Sequence, residues 1–184
     1  TGADGITLNA DERFTVQSGG GNDSITVTDT AAGTVINTAE GHDGVTATAA
    51  GANNTAYTVA TGDGNDSIAL GNTGDATGSN ITFDGGDGYD TVTLTTDVYD
   101  TGAMSLSNIE KLVIGGTVGM TAAQFSNDTE FLLSGAATLQ ITDAGSGASA
   151  ANTINASALT FDPNAIGNTA LLGGDGNDTV VGSV

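Results

Sequence analysis

Short runs of alternating aliphatic and hydroxyl residues recur along the chain. Ile6 and Leu8 flank Thr7, Ile25 and Val27 flank Thr26, and Val45 and Ala47 flank Thr46. Ile68 and Leu70 then flank Ala69, and Val92 and Leu94 flank Thr93. A period of two turns the aliphatics to one face and the threonines to the other, which predicts half-buried β-strands. A second set of strand-like runs lies between these, at 13–17, 34–37, 56–60 and 80–83. Each repeat thus reads as two strands and two turns. Like residues recur from repeat to repeat, so the predicted fold class is all-β, a parallel solenoid with coils of about 19–24 residues. One turn is constant, and the other absorbs the differences in coil length around Asn53, Asn54 and residues 74–78.

The alternation continues beyond residue 94. Runs at 111–114, 130–133, 138–142 and 169–172 each resemble the strand that precedes the constant turn. Segments 107–112 and 121–125 read as one-turn helices or lateral strands, with Thr121 as a helix N-cap. Residues 1–96 are read as loop-bearing coils, 97–170 as the same solenoid with few or no such loops, and 171–184 as a resumed coil. The other reading of the middle stretch is an inserted non-solenoid segment. The pattern is cut at both ends, so the sequence is read as one continuous domain from a longer repetitive protein.

The constant turn carries the chemistry. Asp4, Asp23, Asp43, Asp66, Asp90 and Asp178 each lie two residues after a glycine and two before an isoleucine or valine. Their spacings are 19, 20, 23, 24 and 88 residues, so the first five return once per coil. Asp63, Asp87 and Asp175 add a second acid to three copies, whereas residues 39–43 lack the leading glycines. Asp and Gly are also ordinary β-turn residues, and one copy alone would carry little weight. Five in phase make a column of like charge. Carboxylates one strand spacing apart repel by roughly 3 kcal/mol at an effective dielectric of 20. A cation between coils reverses that sign. Calcium suits the place, since it takes six to eight oxygens and accepts backbone carbonyls beside carboxylates. The expected inter-coil sites are Asp4/Asp23, Asp23/Asp43, Asp43/Asp66 and Asp66/Asp90, with the tightest binding around Asp66 and Asp90. Several calcium ions are expected per chain.

Composition agrees with that picture. The 184 residues hold 22 acidic and 2 basic side chains, a formal charge of −20, which excludes nucleic acid and anionic membrane surfaces as partners. No cysteine is present, and 29 glycines with eight aromatics leave a thin aliphatic core with no disulfide to staple it. No apolar run approaches the length of a membrane span.

These loops resemble the RTX (repeats-in-toxin) family of secreted calcium-binding proteins, and the run Gly-Gly-Asp-Gly-Asn-Asp-Thr-Val at 173–180 is close to the family consensus. The resemblance covers about a third of the chain directly and implies a right-handed parallel β-helix or β-roll that folds on meeting calcium outside the cell. It implies ligands at Asp23, Asp43, Asp66, Asp90 and Asp178, with backbone carbonyls of Gly19, Gly21, Gly62, Gly64, Gly86 and Gly88. It also implies secretion by a bacterium, in the type I manner. Typical RTX rolls place a loop on both edges, whereas this chain has one per coil. The longer coils look more like bacterial surface-layer proteins that bear RTX motifs.

The function expected on these grounds is structural: a calcium-rigidified segment of a surface-layer or adhesin-type protein. Open solenoid ends would let it assemble with copies of itself. An accessory module of a secreted enzyme or adhesin is the alternative. Catalysis within the chain is not expected, because Arg13, Lys111 and His42 are its only basic side chains and lie in unrelated coils. Ice or carbohydrate binding on the threonine face is disfavoured, because the ladder breaks at Ala69 and Gly71.

Overall fold

The computed structural model describes residues 2–10, 13–29, 33–49, 57–72, 81–94, 98–99, 104–121, 130–133, 138–142, 153–156, 159–161, 170–172 and 179–182. The first four coils each contribute two strands. These are β1 (Gly5–Ala10) and β2 (Thr15–Gln17), β3 (Ser24–Asp29) and β4 (Thr34–Asn37), β5 (Gly44–Ala49) and β6 (Tyr57–Asp63), and β7 (Ser67–Asn72) and β8 (Ile81–Asp87). A third strand then enters: β9 (Thr91–Leu94), β10 (Val98–Tyr99) and β11 (Met104–Ser107) are followed by β12 (Lys111–Ile114) and β13 (Thr117–Thr121). Next come β14 (Glu130–Leu133), β15 (Thr138–Thr142) and β16 (Thr153–Ala156), then β17 (Leu159–Phe161), β18 (Ala170–Leu172) and β19 (Thr179–Gly182). All described pairings are parallel, which makes the molecule an all-β parallel solenoid.

An eight-stranded wall runs β1-β3-β5-β7-β9-β12-β14-β17, and a five-stranded wall runs β11-β8-β6-β4-β2. Alternation places the same faces inward in every coil. Ile6, Ile25, Val45, Ile68, Val92 and Leu112 are in register on the first wall, as are Leu8, Val27, Ala47, Leu70, Leu94 and Ile114. Val16, Ile36, Val59, Phe83 and Leu106 form the facing column of the second wall. Most of these residues are fully buried, and each large aliphatic contributes about 1.5–3 kcal/mol of burial. Buried threonines close the gap at the loop edge. Thr38 Oγ1 donates to the Thr61 carbonyl at 2.9 Å, and Thr61 Oγ1 donates to the Gly85 carbonyl at 3.0 Å.

Beyond the fourth coil the structure differs from the sequence expectation. Residues 111–114 and 130–133 do not precede a constant turn: they join the wall that follows it, next to β9. The strand before the turn is β11, where Met104 and Leu106 alternate with Ser105 and Ser107. Residues 138–142 and 170–172 belong to a third wall, β10-β13-β15-β18, which was not anticipated. Segment 107–112 is no helix: Ser107 ends β11, residues 108–110 turn, and Lys111 begins β12. Thr121 ends a strand rather than capping a helix, and residues 122–125 lie outside the described residues. The variable turns at 53–54 and 74–78 lie outside them too.

Among the described residues Phe83 is the largest fully buried side chain. Phe83→Ala is expected to cost about 3–5 kcal/mol, because so narrow a core cannot collapse into the void. Urea denaturation followed by far-UV circular dichroism measures it.

Candidate metal site: the carboxylate ladder

Asp23, Asp43, Asp66 and Asp90 are the last residues of the turns leading into β3, β5, β7 and β9. Each uses its backbone and side chain to hold its neighbours. The N–H of Asp4 donates to Asp23 Oδ1, that of Asp23 to Asp43 Oδ1, that of Asp43 to Asp66 Oδ1, and that of Asp66 to Asp90 Oδ1, all at 2.8 Å. The aspartate carbonyls accept the next amide along, from Ser24, Gly44, Ser67 and Thr91, at 2.7–2.9 Å. Five of the predicted aspartates therefore form one continuous column. Asp4 is exposed at its end, while the other four are no more than 3% exposed.

The second carboxylate oxygen is the unusual feature. Oδ2 of Asp23, Asp43, Asp66 and Asp90 is buried and has no hydrogen-bond partner. A buried acceptor left unmatched costs about 1–3 kcal/mol, and more when charged. Burial pushes the Asp66 and Asp90 carboxyls above their ordinary value; the Asp43 and Asp66 amides, respectively, and for Asp66 the Thr61 hydroxyl, oppose it. Like charge adds to the rise, from Asp43 at Asp66 and from Asp66, Glu110 and Asp84 at Asp90. Asp23 is held below its ordinary value by the nearby Ser18 hydroxyl and the Asp4 amide, although Ser18 Oγ itself lacks good hydrogen-bond geometry.

Glycine makes the loops possible. Gly41, Gly64 and Gly88 have φ of 143°, 147° and 146°, and a Cβ on them would fall 1.9, 1.5 and 1.5 Å from the carbonyl oxygens of Gly21, Gly41 and Gly64. A second row joins Gly19, Ala39, Gly62 and Gly86, all with positive φ, and a Cβ on Gly62 or Gly86 would strike the Ala39 or Gly62 carbonyl. The glycines proposed as carbonyl donors thus lie in two rows, one per loop position, beside the aspartate column. The carboxylates and carbonyls of these rows present oxygen donors, the kind a hard divalent cation prefers. Among the described residues no three acidic or histidine side chains converge to hold a metal, so an ion here would draw on carbonyls as well.

Two exposed ladders flank the column. Asn22 Oδ1 accepts the His42 N–H, His42 Nδ1 accepts the Asn65 N–H, and Asn65 Oδ1 accepts the Tyr89 N–H, at 2.8–2.9 Å. His42 is thus a rung, with Nδ1 as acceptor. The additional acids Asp63 and Asp87 pair in register, with Glu40 bridged to Asp63, and all three are exposed. They line the loop surface rather than the buried column.

Asp175 and Asp178 lie outside the described residues, and the strand after them, β19, pairs with β16 instead of joining the eight-stranded wall. Val180 is accordingly 54% exposed, unlike the aliphatics that follow the other aspartates. Past Asp90 the column continues at Glu110, whose Oε2 accepts the Asp90 N–H at 2.7 Å. Sequence reasoning passed over Glu110 because no glycine stands two residues before it. The available signal was an acid followed by Leu112 and Ile114 at the aspartate spacing, 20 residues after Asp90.

No protein-family model, curated protein or solved structure matches this chain.

Two outcomes follow from this geometry. Ala39 holds φ of 72° where the other coils have glycine, so Ala39→Gly is expected to stabilise the protein by about 1 kcal/mol in chemical denaturation. In chelator, Asp66 and Asp90 bind protons more tightly when folded, so their destabilising ionisation is absent below pH 3.8 and complete above their raised values. Asp23 has the opposite sign: its favourable contribution is present above pH 3.8 and lost as pH falls through its lowered value. Melting temperature in chelator should therefore rise as pH falls from neutral toward 3.8 and then lose part of that gain. A steady fall across the upper window contradicts this.

Proposed function

We propose that this chain is a calcium-binding structural segment of a secreted, surface-layer-type protein of the RTX kind. The supporting observation is the row of buried, unpartnered Oδ2 atoms on Asp23, Asp43, Asp66 and Asp90. Together with the carbonyls of the glycine rows, these oxygens would hold the ions. Bound calcium supplies positive charge between rungs that otherwise repel. The chain's own part is to fix those oxygens in place: Oδ1 is anchored on a neighbouring amide, the glycines let the carbonyls approach, and the aliphatic after each aspartate pins the loop to the core.

On this reading calcium couples to folding, and the fold tightens where the ion is plentiful, at the cell surface rather than inside the cell. Each site adds about 2.7 kcal/mol when calcium stands a hundredfold above its Kd. Self-association is the accompanying partner reading, since a parallel solenoid extends by adding coils edge to edge and a coil of a second copy could pair in the same way.

Calcium titration by calorimetry, with melting followed in calcium and in chelator, tests the proposal. Uptake of several ions and a melting temperature that drops on chelation are expected. Asp66→Asn should weaken two binding steps, because its carboxylate lies between two neighbours. An unchanged melting temperature and no heat of binding would sink the reading.

A further inference from the structure

The column of carboxylates outlasts the glycine loops that define it in sequence. Between the registered pairs Asp84↔Ser107 and Thr91↔Lys111, one coil has six residues (85–90) and the next only three (108–110). The shortened turn is made by Asn108, a non-glycine residue with φ of 52°. Its side-chain amide donates to Asp84 Oδ1 at 2.7 Å. At the end of this turn stands a glutamate, one methylene longer than aspartate, whose Oε2 takes the Asp90 N–H.

Asp90 differs from the other aspartates in what surrounds its orphan oxygen. Five residues before each aspartate stand Ser18, Thr38, Thr61 and, for Asp90, Gly85. The Ser18 and Thr61 hydroxyls bear on Asp23 and Asp66, but Gly85 brings none to Asp90. Instead, the point where a Gly85 Cβ would sit lies 2.5 Å from Asp90 Oδ2 and 2.1 Å from the Asn108 carbonyl oxygen. Asp90 is 1% exposed, Oδ2 has no partner, and the negative charges of Asp66, Glu110 and Asp84 all bear on it.

We infer that Asp90, Glu110 and the Asn108 carbonyl form a further divalent-cation site, of the calcium class, beyond the loop that ends at Asp90. It rests on the calcium reading above and extends it to a coil with no recognisable loop motif. Asp84 contributes charge alongside while its Oδ1 stays on Asn108. The site would join the two-walled coils to those with a third wall, where β10 enters.

Calorimetric titration with calcium chloride on wild type and Glu110→Gln tests it. Glutamine keeps an acceptor for the Asp90 amide and removes the charge, so far-UV dichroism should be unchanged. One calcium fewer per chain is expected, or one step weakened by at least about tenfold with the others intact. Wild type that binds calcium while Glu110→Gln binds the same number with the same affinities overturns this site alone. Wild type that binds none overturns the parent reading. Should Glu110→Gln lose its β signal, Asp84→Asn keeps the Asn108 acceptor and removes one charge near Asp90. Selective weakening of one step then supports the site, and no change in any step overturns it.

Discussion

One hydrogen bond organises the described coils: a main-chain amide of one coil donated to an acidic side chain of the next. It recurs from Asp4 to Glu110 without interruption. Because it occupies one oxygen of each carboxylate, it fixes where the other oxygen goes. That second oxygen is turned inward, away from water, next to its like-charged neighbours. Loop geometry and the demand for positive charge therefore have the same origin. A chain whose turns were merely polar would point both oxygens at solvent.

The hydrophobic interior cannot supply this order alone. Its aliphatic columns are single files of side chains, and Ala47 leaves a small one in the first wall. Aliphatic contacts of this kind are permissive about sliding. The loop edge is not, because a Cβ on Gly21, Gly41, Gly64 or Gly88 would strike a carbonyl of the previous coil. Packing thus gives cohesion while the loop edge gives alignment.

Much of this was legible in the sequence. The alternation of Ile25 and Val27 with Thr26, repeated in the following coils, predicted the first wall with its register. The phase of the aspartates predicted their column. What escaped was the wall to which a strand belongs: an alternating run such as 111–114 reads alike on any face, and only tertiary pairing decides. The third wall escaped because its first strand is two residues long and flanked by aspartates that suggest a turn. Glu110 is not spelled like the aspartates, because Asn108 stands where they have glycine and reaches left-handed φ without it. The strand after the loop at 173–178 pairs with β16 rather than with the first wall, a neighbour that its local spelling does not announce.

The two side-chain ladders of the loop edge run in opposite senses. Aspartates reach back toward the preceding coil's amide, whereas Asn22, His42 and Asn65 accept from the coil that follows. A coil displaced either way would therefore break bonds of both kinds at once. Among the described residues the aligning side-chain ladders lie at this border, and the coils differ in length between the strands on the other side. Coils of unequal length can then be tolerated side by side, and that far margin is where natural variation or an engineered graft would cause least disturbance.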